Sequence, residues 1–233
     1  MGRIGARRPG AVKILNFLRT CKHAVVEGTY THLSSSDADT AYTRIQLRHF
    51  MDTMIECSRN DIPTGLRHCA NSAAAEGFPE CRLDMIRPGY AAYGLAEDYN
   101  PVLALKTRVV YIKDLRKGAS VSYGRGYRCR SLTRVATLPV GYGDGYMRAL
   151  SNRAEVLIRG RRCRVIGTIT MDMMMADVSA LPDLTVGEEA VLIGRQGEDE
   201  ITAAELAGLA GTISYEITTA ISTRVPRVFI DEQ

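Results

Sequence analysis

Two rhythms of apolar residues divide this chain. Over the first hundred residues, apolar positions spaced three to four apart alternate with short apolar runs. Val12, Leu15 and Leu18 predict a helix over Pro9 to Cys21. The run from Ala24 to Leu33 predicts a strand with polar His32 near its end. Ser34-Ser35-Ser36-Asp37 offers an N-cap to the next helix, which reaches about Ser58 and carries Leu47, Phe50, Met51 and Met54 on one face. A strand over Gly65 to Asn71, a small-residue helix over Ser72 to Ala75 and a third strand over Asp84 to Gly94 follow. This βαβαβ order predicts parallel pairing. Chemistry in such folds gathers at the C-terminal ends of strands, where His32, Asn71-Ser72 and Arg87 to Gly89 fall. Three strands are too few to close an eight-stranded barrel.

Near Asn100-Pro101 the rhythm changes. Short β-rich runs separated by glycine turns take over: Thr107 to Ile112, Ser120 to Tyr123, Arg134 to Val140, Ala154 to Ile158, Arg164 to Thr170 and Ala190 to Ile193. One helix interrupts them, Thr202 to Leu209, capped by Thr202 and ended by Gly211. A strand-like segment from Thr219 to Ile230 closes the chain. The expected organisation is an α/β part over residues 1–99 and an all-β-dominated domain over residues 100–233.

Composition narrows the classes. Of 233 residues, 45% are hydrophobic and 24% charged, ordinary values for a globular protein with a substantial core. No stretch approaches the roughly 18 apolar residues of a membrane span. The first ten residues have no apolar run behind their arginines, so they do not read as a secretory signal, and cytoplasm is the default. The formal charge is +4, and the densest basic stretch, Gly124 to Arg134, reads as a solvated edge rather than a nucleic-acid module. Six cysteines form no C-x-x-C pair, which argues against zinc and for reduced, partly buried thiols.

Nine segments stand out together: MGRIG (1–5), EGTYTHLSSSD (27–37), HCANSAA (68–74), DMIRPGYAAYGL (84–95), VSYG (121–124), LPVGYGDGY (138–146), GTITMD (167–172), LIGRQG (192–197) and SYEITTAISTRVPR (214–227). In this order, along nearly the whole chain, they resemble the bacterial alanine racemases, which use pyridoxal 5′-phosphate (PLP). The resemblance implies the last strands of a TIM-type (β/α) barrel followed by a C-terminal β-domain. It also implies a head-to-tail homodimer and the interconversion of L- and D-alanine for cell-wall peptidoglycan. The cofactor's ring system would stabilise the carbanion left when the α-hydrogen departs. Racemisation then needs a base on each face.

What the resemblance implies for single residues is specific. Tyr123 matches the tyrosine base contributed by the other subunit. A free phenol ionises only near about pH 10, so nearby cations are needed to favour its anion. Without the family, Tyr123 reads as a packed aromatic. Arg87 matches the arginine that hydrogen-bonds the pyridine nitrogen, which keeps that nitrogen unprotonated. Read alone, it is a surface salt-bridge partner. Ser72, Gly89, Tyr90 and Tyr215 match phosphate-binding positions, Tyr90 through its backbone amide, and Ser72 also reads as a helix N-cap. His32 matches the histidine stacked on the cofactor ring. Arg3 matches the arginine near the substrate carboxylate. Met171 matches a residue whose backbone amide meets that carboxylate from the partner subunit, while its side chain, with Met173, Met174 and Met175, reads as core filler. Tyr142, with Tyr215, matches a narrow entrance that admits a methyl side chain. Gly141 to Gly145 reads as a turn-rich strand exit, not a phosphate loop.

The family's cofactor lysine lies in a valine-lysine-alanine-asparagine-alanine-tyrosine-glycine setting, which surrounds none of Lys13, Lys22, Lys106, Lys113 and Lys117. The expectation is a C-terminal portion of a racemase, inactive alone. The alternatives are a non-catalytic remnant that binds a partner, or a racemase of serine or broader range. A second expectation is that Val25, Val26 and the face over 47–54 lack a covering layer, so the chain associates, while residues from about 100 onward fold alone.

Overall fold

The computed structural model describes residues 1–95 and 99–230. It divides into two compact units, Met1–Ala92 and Tyr93–Gln233. In the first, helix α1 (Arg8–Leu18) begins with Pro9 in its first turn, where proline's missing N–H costs no hydrogen bond. Strand β1 (Gly28–Tyr30) pairs in parallel with β2 (Leu66–His68), so the expected parallel arrangement holds. Between them runs α2 (Thr40–Arg59), and after β2 comes the short α3 (Ser72–Gly77).

Several local expectations are corrected. The cap of α2 is Asp39, whose side chain accepts from Tyr42 N at 2.9 Å, not the 34–37 serine run. Those serines bond elsewhere: Ser34 N donates to Gln46 Oε1 and Ser36 Oγ to Asn71 Oδ1. Asn71, not Ser72, caps α3. The third strand does not form. Asp84 N and Arg87 N donate to Arg67 O and Ala70 O, so the segment follows β2. Pro88 then has no N–H to continue a ladder, and Gly89 N and Ala91 N both donate to Ser72 Oγ. The 47–54 face is covered: Phe50 and Met54 are buried with Leu33, Cys69, Ala74 and Phe78. Val26 packs against Leu15, Cys57 and Ile62, and only Val25 stands out, 87% exposed.

The second unit is built from antiparallel strands. β4 (Tyr111–Leu115) and β10 (Met174–Asp177) flank β7 (Thr133–Leu138) in one sheet. In the other, β11 (Glu189–Gln196) is central, between β12 (Asp199–Ile201) and β8 (Glu155–Ile158), with β9 (Arg161–Arg164) beyond β8. β3 (Leu105–Arg108) also pairs with β11, and β5 (Ser120–Val121) forms a small ribbon with β6 (Tyr127–Arg128). Leu138, Leu157, Ile158, Ile169, Met174, Leu192 and Leu206 fill the core between these elements. Helix α4 (Ala203–Ala210) is capped by Thr202 and ends at left-handed Gly211, as its sequence predicts.

Several expectations fail here, among them the single strand over Thr107 to Ile112, which divides between β3 and β4. The strand expected over Arg164 to Thr170 does not form: Arg164 ends β9, Val165 makes an isolated bridge to Ala176, and Gly167 then turns the chain at φ 80°. The closing strand expected over Thr219 to Ile230 does not form: its first two residues end helix α5 (Ser214–Ala220) and the rest is irregular. Met171 and Met173 are not core filler: both are about half exposed, and of the four methionines only Met174 is fully buried.

One ion-pair hub joins four segments of this unit. Arg162 reaches Glu205 at 2.6 Å, Asp199 at 3.0 Å and Glu155 at 3.3 Å, and donates to Glu200 O at 2.6 Å. Networks outperform isolated surface pairs, so Arg162→Ala is expected to cost about 1–2 kcal/mol. Urea unfolding checks this, and about 1 M salt should shrink the difference.

Candidate active site

In the first unit, the residues singled out by sequence collect where β1 and β2 end. The segment bearing Arg87 is fixed first by a two-bonded pair. Arg67 Nε and Nη2 donate to Asp84 Oδ2 and Oδ1, each at 2.9 Å, and Arg67 N adds a bond to Oδ2 at 2.8 Å. These bonds hold the Asp84 carboxyl down to about 2.

From this anchor Arg87 reaches back across both strands. Nη1 lies 2.6 Å from His68 Nδ1, while Nη2 donates to Thr31 O at 3.1 Å and Cys69 O at 3.4 Å, with His32 Nδ1 at 3.5 Å. Its guanidinium also sits 5.3 Å from the Tyr30 ring centroid, and Tyr30 stacks on His68 at 7°. Arginine has no acceptor, so His68 Nδ1 accepts and its proton resides on Nε2. Burial first, then the Arg87 charge, lowers the pKa of His68. The same two causes, followed by the Arg3 charge, lower that of His32. Both imidazoles are thereby biased to the neutral form.

Ser72 is buried at the start of α3, where its Oγ accepts from Gly89 N at 3.1 Å and Ala91 N at 3.2 Å. Its own hydrogen can still serve an anion. Among the described residues, its two chain neighbours aside, nothing lies within 4 Å of where a Cβ on Gly89 would stand, and half-buried Tyr90 follows it. Arg3 lies exposed in the bend over residues 3–5. His68 was missed by sequence reasoning, although it opens the HCANSAA segment. A histidine at the end of a parallel strand, beside the strand end that carries His32, was the available signal.

The second unit holds Tyr123, Tyr142, Met171 and Tyr215. Tyr123 sits on the turn joining β5 and β6 and is 74% exposed, so it is not a packed aromatic. The glycine run forms the predicted turn: Asp144 Oδ2 accepts from Gly141 N at 2.9 Å. Tyr142 N and Gly143 N donate to Thr170 O and Met171 O, which sets Tyr142 beside Met171. A Cβ on Gly141 would meet Thr170 O at 2.2 Å, so only glycine permits this approach.

Tyr215 lies in the first turn of α5, and the chain leaving that helix is tied to the Tyr142 turn. Ser222 N donates to Asp144 O and Ser222 Oγ to Gly143 O, both at 3.0 Å. Gly145, at φ 104°, lets Ala220 O come to 2.2 Å from its missing Cβ. Arg224 closes the arrangement with Asp172 at 2.7 Å and Asp144 at 3.4 Å.

Comparison with known proteins supplies the frame for these two groups. Residues 1–97 match the family model described as "Alanine racemase, N-terminal domain" and residues 102–229 the one described as "Alanine racemase, C-terminal domain". The alanine racemase of Symbiobacterium thermophilum is 48% identical over 98% of this chain and 63% of its own length. That of Halothermothrix orenii is 42% identical with the same coverage. The crystal structure of alanine racemase from Bacillus anthracis with bound L-Ala-P is similar at a TM-score of 0.92 and 36% identity, covering 99% of this chain and 62% of that one. The chain thus spans just under two thirds of these relatives. Matched along both of its parts, it belongs to the alanine racemase family.

Proposed function

We propose that this chain carries part of the active site of a PLP-dependent alanine racemase. Residues 1–99 correspond to the last strands of a TIM-type barrel, and residues 100–233 to the C-terminal β-domain. The observation that carries the reading is the Arg87 cluster. Of the guanidinium's five N–H groups, the bonds described use one on Nη1 and both on Nη2. Nε–H and one Nη1–H remain for an acceptor such as a pyridine nitrogen. A donor with no basic form at neutral pH cannot hand that nitrogen a proton. Ser72 Oγ, with a hydrogen still to donate, suits a phosphate oxygen beside the open side of Gly89.

When bound, PLP supplies the electron sink that lets an amino acid's α-proton leave. The chain's residues do the rest. Arg87 and His32 would hold the cofactor's ring, and Ser72, Gly89, Tyr90 and Tyr215 its phosphate. Arg3, with the amide of Met171 of the partner subunit, would hold the substrate carboxylate. Tyr123 moves the proton on one face of the α-carbon, reaching a partner subunit's site in a cytoplasmic homodimer. Tyr142 and Tyr215 narrow the approach to alanine, whose D form feeds peptidoglycan. No lysine here has the family's cofactor-lysine setting, so that role is assigned to a lysine outside these 233 residues.

The experiment is reconstitution. The chain is combined with PLP and a lysine-bearing N-terminal segment of a relative, and D-alanine formed from L-alanine is measured. Turnover by the mixture, none by the chain with PLP alone, and a preference for alanine over serine are expected. An assembled, PLP-loaded complex that turns over neither amino acid would overturn the reading.

A further inference from the structure

The turn that presents Tyr123 is held in a conformation its own residues disfavour. Ser122 has φ 62° and ψ −172°, a region that glycine alone occupies freely, and Arg125 has φ 53°. Strained backbone persists only where its surroundings over-determine it. Here the bracing comes first from Thr168, 46 positions from Ser122 and 45 from Tyr123. Ser122 Oγ donates to Thr168 O at 2.5 Å, and Thr168 Oγ1 donates back to Tyr123 O at 3.1 Å. Asn152 braces both sides, accepting from Gly167 N at 2.7 Å and donating to Gly126 O at 3.4 Å. The anchoring segment is itself fixed: Ile169 N donates to Ser151 Oγ at 2.9 Å and Thr170 N to Met173 O.

We propose that Ser122 and Thr168 are positioning residues for proton transfer at Tyr123, clasping the turn by two reciprocal side-chain-to-backbone bonds. This rests on the reading of Tyr123 as a base. The same segment receives the Tyr142 turn through Thr170 O and Met171 O. One stretch, residues 167–171, therefore sets Tyr123, Tyr142 and the Met171 amide relative to one another. Within its own chain Tyr123 is 74% exposed, so the bonds that hold its turn set the point from which its side chain reaches a partner's site. A misplacement of about 1 Å at a reacting group can cost roughly a hundredfold in rate.

Ser122→Gly separates positioning from mere structure. Glycine relieves the strain at φ 62° but removes the bond to Thr168, so melting temperature should hold or rise while catalysis falls. Thr168→Val removes the return bond at matched shape, and Thr168→Ser keeps it. In the 233-residue chain, trypsin should cut after Arg125 about tenfold faster in Ser122→Gly and Thr168→Val, and at the parent rate in Thr168→Ser. In the reconstituted racemase, the first two should lower kcat about 10- to 100-fold with KM little changed, with Thr168→Ser near the parent. Unchanged cutting, or faster cutting with parental kcat, overturns the proposal. Tyr123→Phe is the control: full activity there overturns the reading of Tyr123 itself. Its inactivity beside fully active Ser122→Gly and Thr168→Val overturns only the clasp.

Discussion

Tyr123→Phe should lower racemisation by the reconstituted enzyme about 10²–10⁴-fold, the usual worth of a positioned acid–base group. The substitution removes one oxygen and leaves the ring. Because Tyr123 is 74% exposed, stability should stay within about 0.5 kcal/mol of the parent, so the loss reports chemistry rather than folding. Its signature is asymmetry. A two-base enzyme that loses one base can still remove and return a proton on the other face. In D₂O, one alanine enantiomer should therefore exchange its α-hydrogen faster than it inverts, and the other should do neither at an appreciable rate. Proton NMR of each enantiomer, followed with time, reads this directly. Equal loss of exchange from both enantiomers would remove Tyr123 from the proton path.

The parts of this molecule that could be read from sequence are those set by local pattern. α1, α2 and α4 follow from apolar spacing, and α4 ends where Thr202 and Gly211 say it should. Helix α5 carries little pattern of its own: Ile217 is the one residue it buries, and β-branched Ile217, Thr218 and Thr219 favour extended chain. The third strand failed for a reason that was visible, Pro88, but its replacement was not. Only the structure shows that Ser72 collects the amides of Gly89 and Ala91.

The site divides the same way. Motif order named Arg87, Ser72 and Tyr123, yet their supports lie far off in sequence. His68 is 19 residues from Arg87, and Thr168 is 45 from Tyr123. Hydrogen bonds to main-chain oxygens such as Thr168 O leave no residue-type signal at the acceptor position, because every residue has that oxygen.

Arg87→Gln tests the first unit without any catalysis. Arg87 donates to two backbone carbonyls and to His68 Nδ1, and each charged bond is worth about 1.5–3 kcal/mol before solvent exposure weakens it. A net loss of about 3 kcal/mol at neutral pH is expected, read by urea unfolding of the 233-residue chain. The pH dependence carries more information than the size. His32 and His68 have folded pKa values below 6.5, lowered by burial and then by Arg87. The unfolded chain therefore binds protons that the folded chain refuses, and stability is lost as pH falls below 6.5 towards the folded values. Removing the Arg87 charge lifts both imidazole pKa values, so the variant loses less on acidification. Its deficit should be larger at about pH 7.5 than at about pH 5. Arg87→Lys keeps the charge without the planar fork, so it should retain the parent's acid sensitivity while still losing bonds. NMR titration of the two imidazoles would place the effect. Unmoved histidine pKa values in Arg87→Gln would show that the guanidinium does not hold these rings neutral.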